Sequence, residues 1–364
     1  MSSSSTSGSQ QPPIVLYHYP FSPYAKRLVW YLHLRGIPYT QCLQPMILPR
    51  PDLSSLLGIK YRRIPLLSIG KDVYLDTRLI LSKLEELDLP SSSQPKLSAA
   101  PGTDGLALER LLSHYSIDGG LFSRAAQLLF SLDNPLLRDP KFLADRAELA
   151  TGGGAPPKFA KEDMAALGPE ALADLRDYCQ MLETTVLADG RDWILKDTQK
   201  PGLADIEAVF VLHWVKSLPG ALPKEQFSEE KFPRVWKWVE RFRVAVGETT
   251  KTKPPQKDGP LITTVKGDKA QEMILGAGWN EKDLETKGVD VGEAIVKLHG
   301  LRKGTVVEVW PTDSGSGQAH RDVGKLVSLD AREVVIENEK GVRVHAPRHG
   351  FRVKPSSQAV ASSL

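Results

Sequence analysis

Near the start of the chain, the stretch YPFSPYAKR at residues 19–27 places a hydroxyl directly before a proline. Ser22 followed by Pro23 is typical of a helix that begins with a hydroxyl cap and has proline at its first position. That end of a helix also carries partial positive charge and free N–H groups, which favour an anion. Ser22 therefore either caps the helix and does nothing more, or also donates a hydrogen bond to a bound thiolate.

The second interpretation is energetically reasonable. A free thiol has a pKa of about 8.5 and is only slightly ionised at neutral pH. Lowering that pKa by about two units requires about 2.7 kcal/mol of preferential stabilisation of the anion. One charge-assisted hydrogen bond together with the helix end supplies this amount. Tyr17, Tyr19 and Tyr24 are alternative donors to the sulfur.

The stretch RRIPLL at residues 62–67 puts Pro65 at the entrance of an apolar segment. Proline is poor inside a sheet, so it belongs at a strand start or in a special turn, where its peptide bond can be cis. A strand that begins there leaves the backbone of Ile64 free to pair with an extended peptide. A plain turn before a core strand is the alternative.

In YLDTRLI at residues 74–80, Asp76 and Thr77 precede an apolar helix and are natural capping residues. The same helix end would also accept a carboxylate, and Asp76 an ammonium. Arg62 and Arg63 would pair with a second carboxylate, unless they are ordinary solvated arginines. Together these groups suit a short peptide with one ammonium, two carboxylates and a thiol, which is the set that glutathione carries.

These motifs lie in a segment whose pattern predicts a small α/β unit with a mixed sheet. The expected elements are strands at 14–17, 40–43, 64–69 and 73–75, and helices at 23–35 and 77–87. The expected organisation of the whole chain is a disordered tail at 1–13, the α/β domain at 14–90, a linker at 91–104, an all-helical domain at 105–250, a β-rich, small barrel-like extension at 251–354, and a tail at 355–364.

Composition excludes several classes of protein. The 364 residues carry a net charge of only +3, so a nucleic-acid partner is not expected. The two cysteines, Cys42 and Cys179, make neither a disulfide framework nor a paired zinc motif, which favours a reduced, cytoplasmic protein. No apolar run approaches the roughly 20 residues of a membrane helix. His345 and His349 are separated by Pro347, which argues against a helical metal site, and no metal is predicted.

The three motifs occur in one order over one small domain, and they resemble the N-terminal, thioredoxin-like domain of the glutathione transferases. The resemblance assigns Ser22 to the glutathione sulfur, Ile64 with a cis Pro65 to the cysteinyl backbone, and Asp76 with Thr77 to the γ-glutamyl end. It assigns Arg63 to the glycyl carboxylate. The Ser-Pro-Tyr pattern is similar to serine-type members, and the missing cysteine argues against a disulfide-exchange enzyme.

The helical block resembles the second domain of the same family through PGLADI at 201–206 and FPRVWKW at 232–238. The resemblance then places the pocket for an electrophile between the domains. Its expected lining is Tyr24, Tyr115, Phe122 and Arg124. The long extension is similar to that of fungal glutathione-transferase-like proteins, some of which are associated with secondary metabolism.

The expected function is transfer of glutathione, as co-substrate, to an electrophilic small molecule. A glutathione-dependent isomerisation or ring opening is a variant of that chemistry. The resemblance also implies a homodimer. The alternative is a non-catalytic adaptor that keeps the fold and acts through protein contacts.

Overall fold

The computed structural model describes residues 11–87, 94–132, 134–153, 166–251 and 261–356. Most of the predicted tails at 1–13 and 355–364, namely residues 1–10 and 357–364, and the first linker residues, 91–93, lie outside this part of the chain. The N-terminal elements are β1 (Ile14–His18), α1 (Pro23–Arg35), β2 (Tyr39–Leu43), α2 (Pro51–Ser54), β3 (Leu66–Ile69), β4 (Asp72–Tyr74) and α3 (Thr77–Glu86).

The predicted mixed sheet is present. β2 runs parallel to β1, whereas β3 runs antiparallel to β1 and to β4. Successive side chains of β1 point to opposite faces, as they must in a strand. Leu16 belongs to a core that the sheet shares with the helices, and Val15 belongs to a second core on the other face.

The middle of the chain is helical. It contains α4 (Asp104–Ile117), α5 (Leu121–Gln127), α6 (Pro140–Thr151), α7 (Gly168–Met181), α8 (Leu203–Lys216), α9 (Lys224–Phe227) and α10 (Pro233–Lys251). The central helix α8 starts at Gly202, which has no capping hydroxyl. Asp205 compensates, because its carboxylate accepts from the Gly202 N–H at 2.9 Å and from the Trp238 indole at 2.8 Å. The role of Asp205 is therefore structural.

The extension adds strands and short helices. They are β5 (Ile262–Thr264), α11 (Gly267–Leu275), α12 (Leu284–Lys287), α13 (Ala294–His299), β6 (Val306–Pro311), α14 (Ser316–Ala319), β7 (Asp322–Leu329), β8 (Glu333–Glu337), β9 (Arg343–Pro347) and β10 (Phe351–Pro355). None of the described helices has the length and apolar character needed to cross a bilayer.

The extension is rich in short strands, as predicted, but these strands are joined to the first domain and do not stand apart from it. Its strands continue the N-terminal sheet in the order β10-β6-β7-β8-β9-β4-β3-β1-β2-β5. β9 pairs in parallel with β4, and β5 pairs in parallel with β2. Pairing with β4 satisfies an edge that would otherwise expose free backbone groups. It also gives the extension and the first domain one common core, in which Val73 and Val344 are both buried.

A group of buried charges lies at this β4–β9 junction, and we call it the junction cluster: Asp72, Lys83, Glu281, Glu333 and His345. The His345 ring contacts Asp72 at 2.9 Å and Glu333 at 2.6 Å. The Lys83 ammonium lies 2.6 Å from Glu281 and 2.7 Å from Glu333. Burial lowers the pKa of His345, but the hydrogen bonds to Asp72 and Glu333 outweigh burial and raise it to about 9.

Candidate functional site

One cavity of about 410 Å³ brings together the residues that the sequence assigned to thiol and peptide binding. It lies where the start of α1, the entrance to β3 and the start of α3 meet the helical part of the chain. The six residues that the resemblance assigned to glutathione all line it: Ser22, Arg63, Ile64, Pro65, Asp76 and Thr77. Two loop residues of the extension, Asp313 and Ser314, complete its wall.

Ser22 has the capping role that its motif predicts. It is the N-cap of α1, and its Oγ accepts from the Ala25 N–H at 3.2 Å, with Pro23 at the first helical position. A hydroxyl has one hydrogen to donate in addition to its lone pairs. Because the cap uses a lone pair and Ser22 lines the cavity, its O–H remains able to donate to a ligand at the positive end of the helix.

The Ile64–Pro65 peptide bond is cis and stands at the entrance to β3, where both residues line the cavity. Asp76 caps α3, and its carboxylate accepts from the Arg78 N–H at 2.9 Å. Its φ of 65° lies in the left-handed region, which costs a non-glycine residue about 1–3 kcal/mol and is often found at ligand sites. The fold therefore holds the Asp76–Thr77 corner in a conformation that the chain does not favour locally.

The residue that supports this corner, Arg27, was not predicted from the sequence. Arg27 is completely buried and donates to the Thr77 hydroxyl and to the Glu207 carboxylate on α8. It thereby connects α1, α3 and the helical part. The available signal was Glu207, an acid within the apolar run 203–215, because a buried carboxylate needs a buried cation.

Arg63 is engaged in a way that differs from the prediction. Its guanidinium binds Asp313 through two hydrogen bonds, at 2.8 and 2.5 Å, and donates to the Ser314 hydroxyl at 2.7 Å. The expected glycyl-carboxylate receptor is thus already paired with a carboxylate of this chain. Nothing in the sequence linked Arg63 to a loop some 250 residues away.

Part of the cavity lining is apolar. Tyr24 and Phe122 line the cavity in an edge-to-face arrangement with ring centroids 4.7 Å apart, and Ile117 and Leu149 also line it. Two residues predicted for this pocket lie elsewhere. Tyr115 stacks on Tyr178 with centroids 5.5 Å apart, and Arg124 pairs with Asp174 at 2.8 Å.

The rival tyrosines occupy different places. Tyr19 and Tyr24 line the cavity. Burial raises the pKa of Tyr24 above its usual range, so its phenol stays protonated and can donate. Tyr17 is buried in the core on the other face of the sheet, which removes it from the site.

Neither cysteine is placed for catalysis. Cys42 and Cys179 are both buried, and burial, as the largest cause, raises the pKa of each thiol to about 12. Neither is among the residues that line the cavity. A thiol that reacts there must therefore arrive with the substrate.

Two segments of the chain match known protein-family models. Residues 16–92 match the family described as glutathione S-transferase, N-terminal domain. Residues 124–251 match a domain of unknown function, DUF7962. No curated protein matches the chain.

Two solved structures show the same fold. A GST-like protein from Pseudomonas syringae is 22% identical with a TM-score of 0.60, covering 94% of this chain and 99% of that one. A beta-etherase from Sphingobium sp. strain SYK-6 is 15% identical with a TM-score of 0.50, covering 66% of this chain and 99% of that one. The predicted fold class, a thioredoxin-like domain with a helical domain and a β-rich extension, is confirmed. Because the first match covers nearly the whole chain, that bacterial protein shares much of the extension.

Proposed function

We propose that this chain, whose residues 16–92 match the N-terminal domain of glutathione S-transferases, acts as a glutathione transferase: it binds glutathione in the cavity at Ser22 and activates the thiol for addition to an electrophilic small molecule. The convergence of a hydroxyl-capped helix start with Ile64, Asp76 and Thr77 on one cavity carries this proposal. Each group alone is an ordinary structural device. A shared cavity is what a peptide with a thiol needs.

In the proposed complex, the sulfur lies at the start of α1 and accepts a hydrogen bond from Ser22. The thiolate is favoured there by the helix end and by that bond. The backbone of Ile64 pairs with the cysteinyl residue, as in β-strand addition. Thr77 and the N–H groups of α3 receive the γ-glutamyl carboxylate, and Asp76 receives the ammonium.

Catalysis then consists of thiol activation and proximity. The thiol loses its proton to solvent. The thiolate then forms a carbon–sulfur bond with the electrophile held beside it as a π bond of that electrophile opens, and the atom that receives the π electrons takes a proton from solvent. The wall of Tyr24, Phe122, Ile117 and Leu149 supports an apolar or aromatic electrophile. Isomerisation or ring opening would use the same thiolate. In an isomerisation, the thiolate adds to the substrate and is then expelled again. The resemblance favours a secondary metabolite as the electrophile.

The non-catalytic adaptor is the weaker hypothesis. An adaptor has no need for Ser22, the cis Ile64–Pro65 bond, Asp76 and Thr77 to face one cavity. The homodimer expected from the resemblance remains a prediction.

The test is glutathione binding by calorimetry, with ultraviolet absorbance to detect bound thiolate. We expect the natural chain to bind with a thiolate signal at neutral pH. Ser22→Ala should lose that signal and lower turnover of a model electrophile by ~10–100-fold, since a charge-assisted hydrogen bond contributes about 1.5–3 kcal/mol. Absence of glutathione binding by the natural chain would overturn the proposal in favour of an adaptor.

Ser123→Ala is a matched control. It removes another hydroxyl from the cavity wall, but that hydroxyl already donates to the Gly120 carbonyl at 2.7 Å. Loss of a cap also costs about 1 kcal/mol of stability, so the melting temperature of Ser22→Ala should be measured alongside. A thiolate signal that survives Ser22→Ala and disappears in Tyr19→Phe or Tyr24→Phe would transfer the role to that tyrosine.

A further inference from the structure

We propose that Asp313, a residue of the extension, removes Arg63 from ligand recognition, so that the site selects γ-glutamyl-cysteinyl thiols without regard to a carboxylate at their far end. The proposal rests on the proposed function, since it concerns how the same cavity discriminates among thiols. It makes Asp313 a specificity-determining residue.

The pair has the geometry of a filled carboxylate site. Both guanidinium Nη atoms of Arg63 donate to the two carboxylate oxygens of Asp313, and Ser314 accepts a third bond from the same side chain. Such a two-point arrangement is the one in which arginine recognises carboxylates in ligands. The Arg63 side chain is only 25% exposed, whereas that of Asp313 is 58% exposed. Both residues line the cavity, and the acid is the more exposed of the two.

The other arginines that line the cavity are also engaged within the chain. Arg62 binds Asp145 at 2.8 Å, and Arg146 binds the same carboxylate. Arg78 binds Asp76 at 3.3 Å and Asp118 at 2.7 Å.

Arg50 is held differently, because it donates to the main-chain carbonyls of Pro45, Met46 and Arg62. It is only 5% exposed, and those bonds orient it along the 45–50 loop. Each lining arginine thus has an internal acceptor, and none is held open as Arg63 would be without Asp313.

A ligand carboxylate gains little binding free energy at the Arg63–Asp313 pair. To reach Arg63 it must displace Asp313, which then stands unpaired beside another negative charge. One arginine–carboxylate pair is broken and another is formed, so the exchange changes the binding free energy very little. A thiol with an esterified or amidated far end avoids the repulsion and loses no bond. The expected substrate class therefore includes γ-glutamyl thiols with an uncharged far end.

The test compares glutathione with its glycyl monoethyl ester by calorimetry. The natural chain should bind the two thiols within about threefold of each other. Asp313→Ala frees the Arg63 guanidinium and should bind glutathione at least ~10-fold more tightly than the ester, as expected for one charge-assisted pair. Asp283→Ala is the control, because it removes an equal charge from an exposed pair with Lys287 and should leave the ratio unchanged.

A second variant keeps the proposal falsifiable if the Asp313 variant does not fold. Arg63→Gln in the natural background should change the ratio by less than threefold. If the natural chain prefers glutathione tenfold and Arg63→Gln abolishes that preference, the inference is overturned while the proposed function stands. If neither thiol binds to any variant, the proposed function fails and the inference fails with it.

Discussion

The junction cluster and the Arg63–Asp313 pair are two of the charged contacts between the extension and the first domain, and they differ in their access to solvent. In the junction cluster, His345 and Asp72 have no exposed side-chain surface. In the second pair, the Asp313 side chain is 58% exposed. Desolvation makes a buried pair costly to break, whereas solvent screening makes an exposed pair cheap to break. The first contact therefore holds the sheet together, and the second is free to tune ligand recognition.

The largest expected effect tests the buried contact. His345→Asn should lower the free energy of unfolding by about 3 kcal/mol, because it leaves charged partners of the junction cluster under-compensated. The measurement is denaturant unfolding of the full chain. His349→Asn is the matched control, since His349 lies in the turn after β9 with an exposed side chain, and it should cost less than 1 kcal/mol. An equal loss of unfolding free energy in the two variants would contradict the structural role given to the junction cluster.

The second prediction uses pH. The folded pKa of His345, about 9, lies above its unfolded value of 6.5. Its contribution is therefore complete below pH 6.5 and is lost as pH rises through 9, by an amount on the order of 3 kcal/mol. The groups that face the ring are Asp72, Glu281 and Glu333, with Lys83 beside them.

The check is the free energy of unfolding measured between pH 6.5 and 9.5, in the natural chain and in His345→Asn. The natural chain should lose stability across this range, and the variant should show a clearly smaller slope. If the two curves of unfolding free energy against pH are parallel, His345 is not the source of the pH dependence.

A smaller effect is expected at the exposed contact. Asp313→Ala should change the free energy of unfolding by less than 1 kcal/mol, since half-exposed pairs are screened by water and salt. Thermal unfolding of the natural chain and of Asp313→Ala, at low and at high salt, measures this change in unfolding free energy. A loss comparable to that of His345→Asn would show that the pair is structural, and would remove the basis for treating it as a recognition device.

The smallest expected effect concerns coupling between the two contacts. His345→Asn and Asp313→Ala share no partner, so their effects on unfolding should add to within about 0.5 kcal/mol. A double-mutant cycle by denaturant unfolding measures the difference. A coupling above 1 kcal/mol would show that the two contacts respond as one unit.

Most of the candidate site could be predicted from the sequence because its motifs are local. A cap, a proline at a strand entrance and a positive helix end are set by residues within a few positions of one another. Ser22, Ile64, Asp76 and Thr77 were found in this way, and the structure brings them to one cavity. Their roles with glutathione remain predictions.

Residues on the surface of a predicted helix were harder to place. Tyr115 and Arg124 were assigned to the electrophile pocket from their region of the chain alone. Which face of α4 or α5 meets the cavity depends on packing against α7 and α8. Phe122 faces the cavity, whereas Arg124, two residues later, pairs with Asp174 on α7.

By itself, the sequence determined the capped helix starts at Ser22 and Asp76 and the place of Pro65 at a strand entrance, because short-range geometry and hydrogen bonding specify them. The cis bond before Pro65 was implied by the family resemblance. Only the tertiary structure decided that β9 pairs with β4, that Arg27 links Thr77 to Glu207, and that Asp313 pairs with Arg63. Strand pairing and ion pairs act between atoms a few ångströms apart, whatever their separation along the chain. A local pattern carries no record of such contacts.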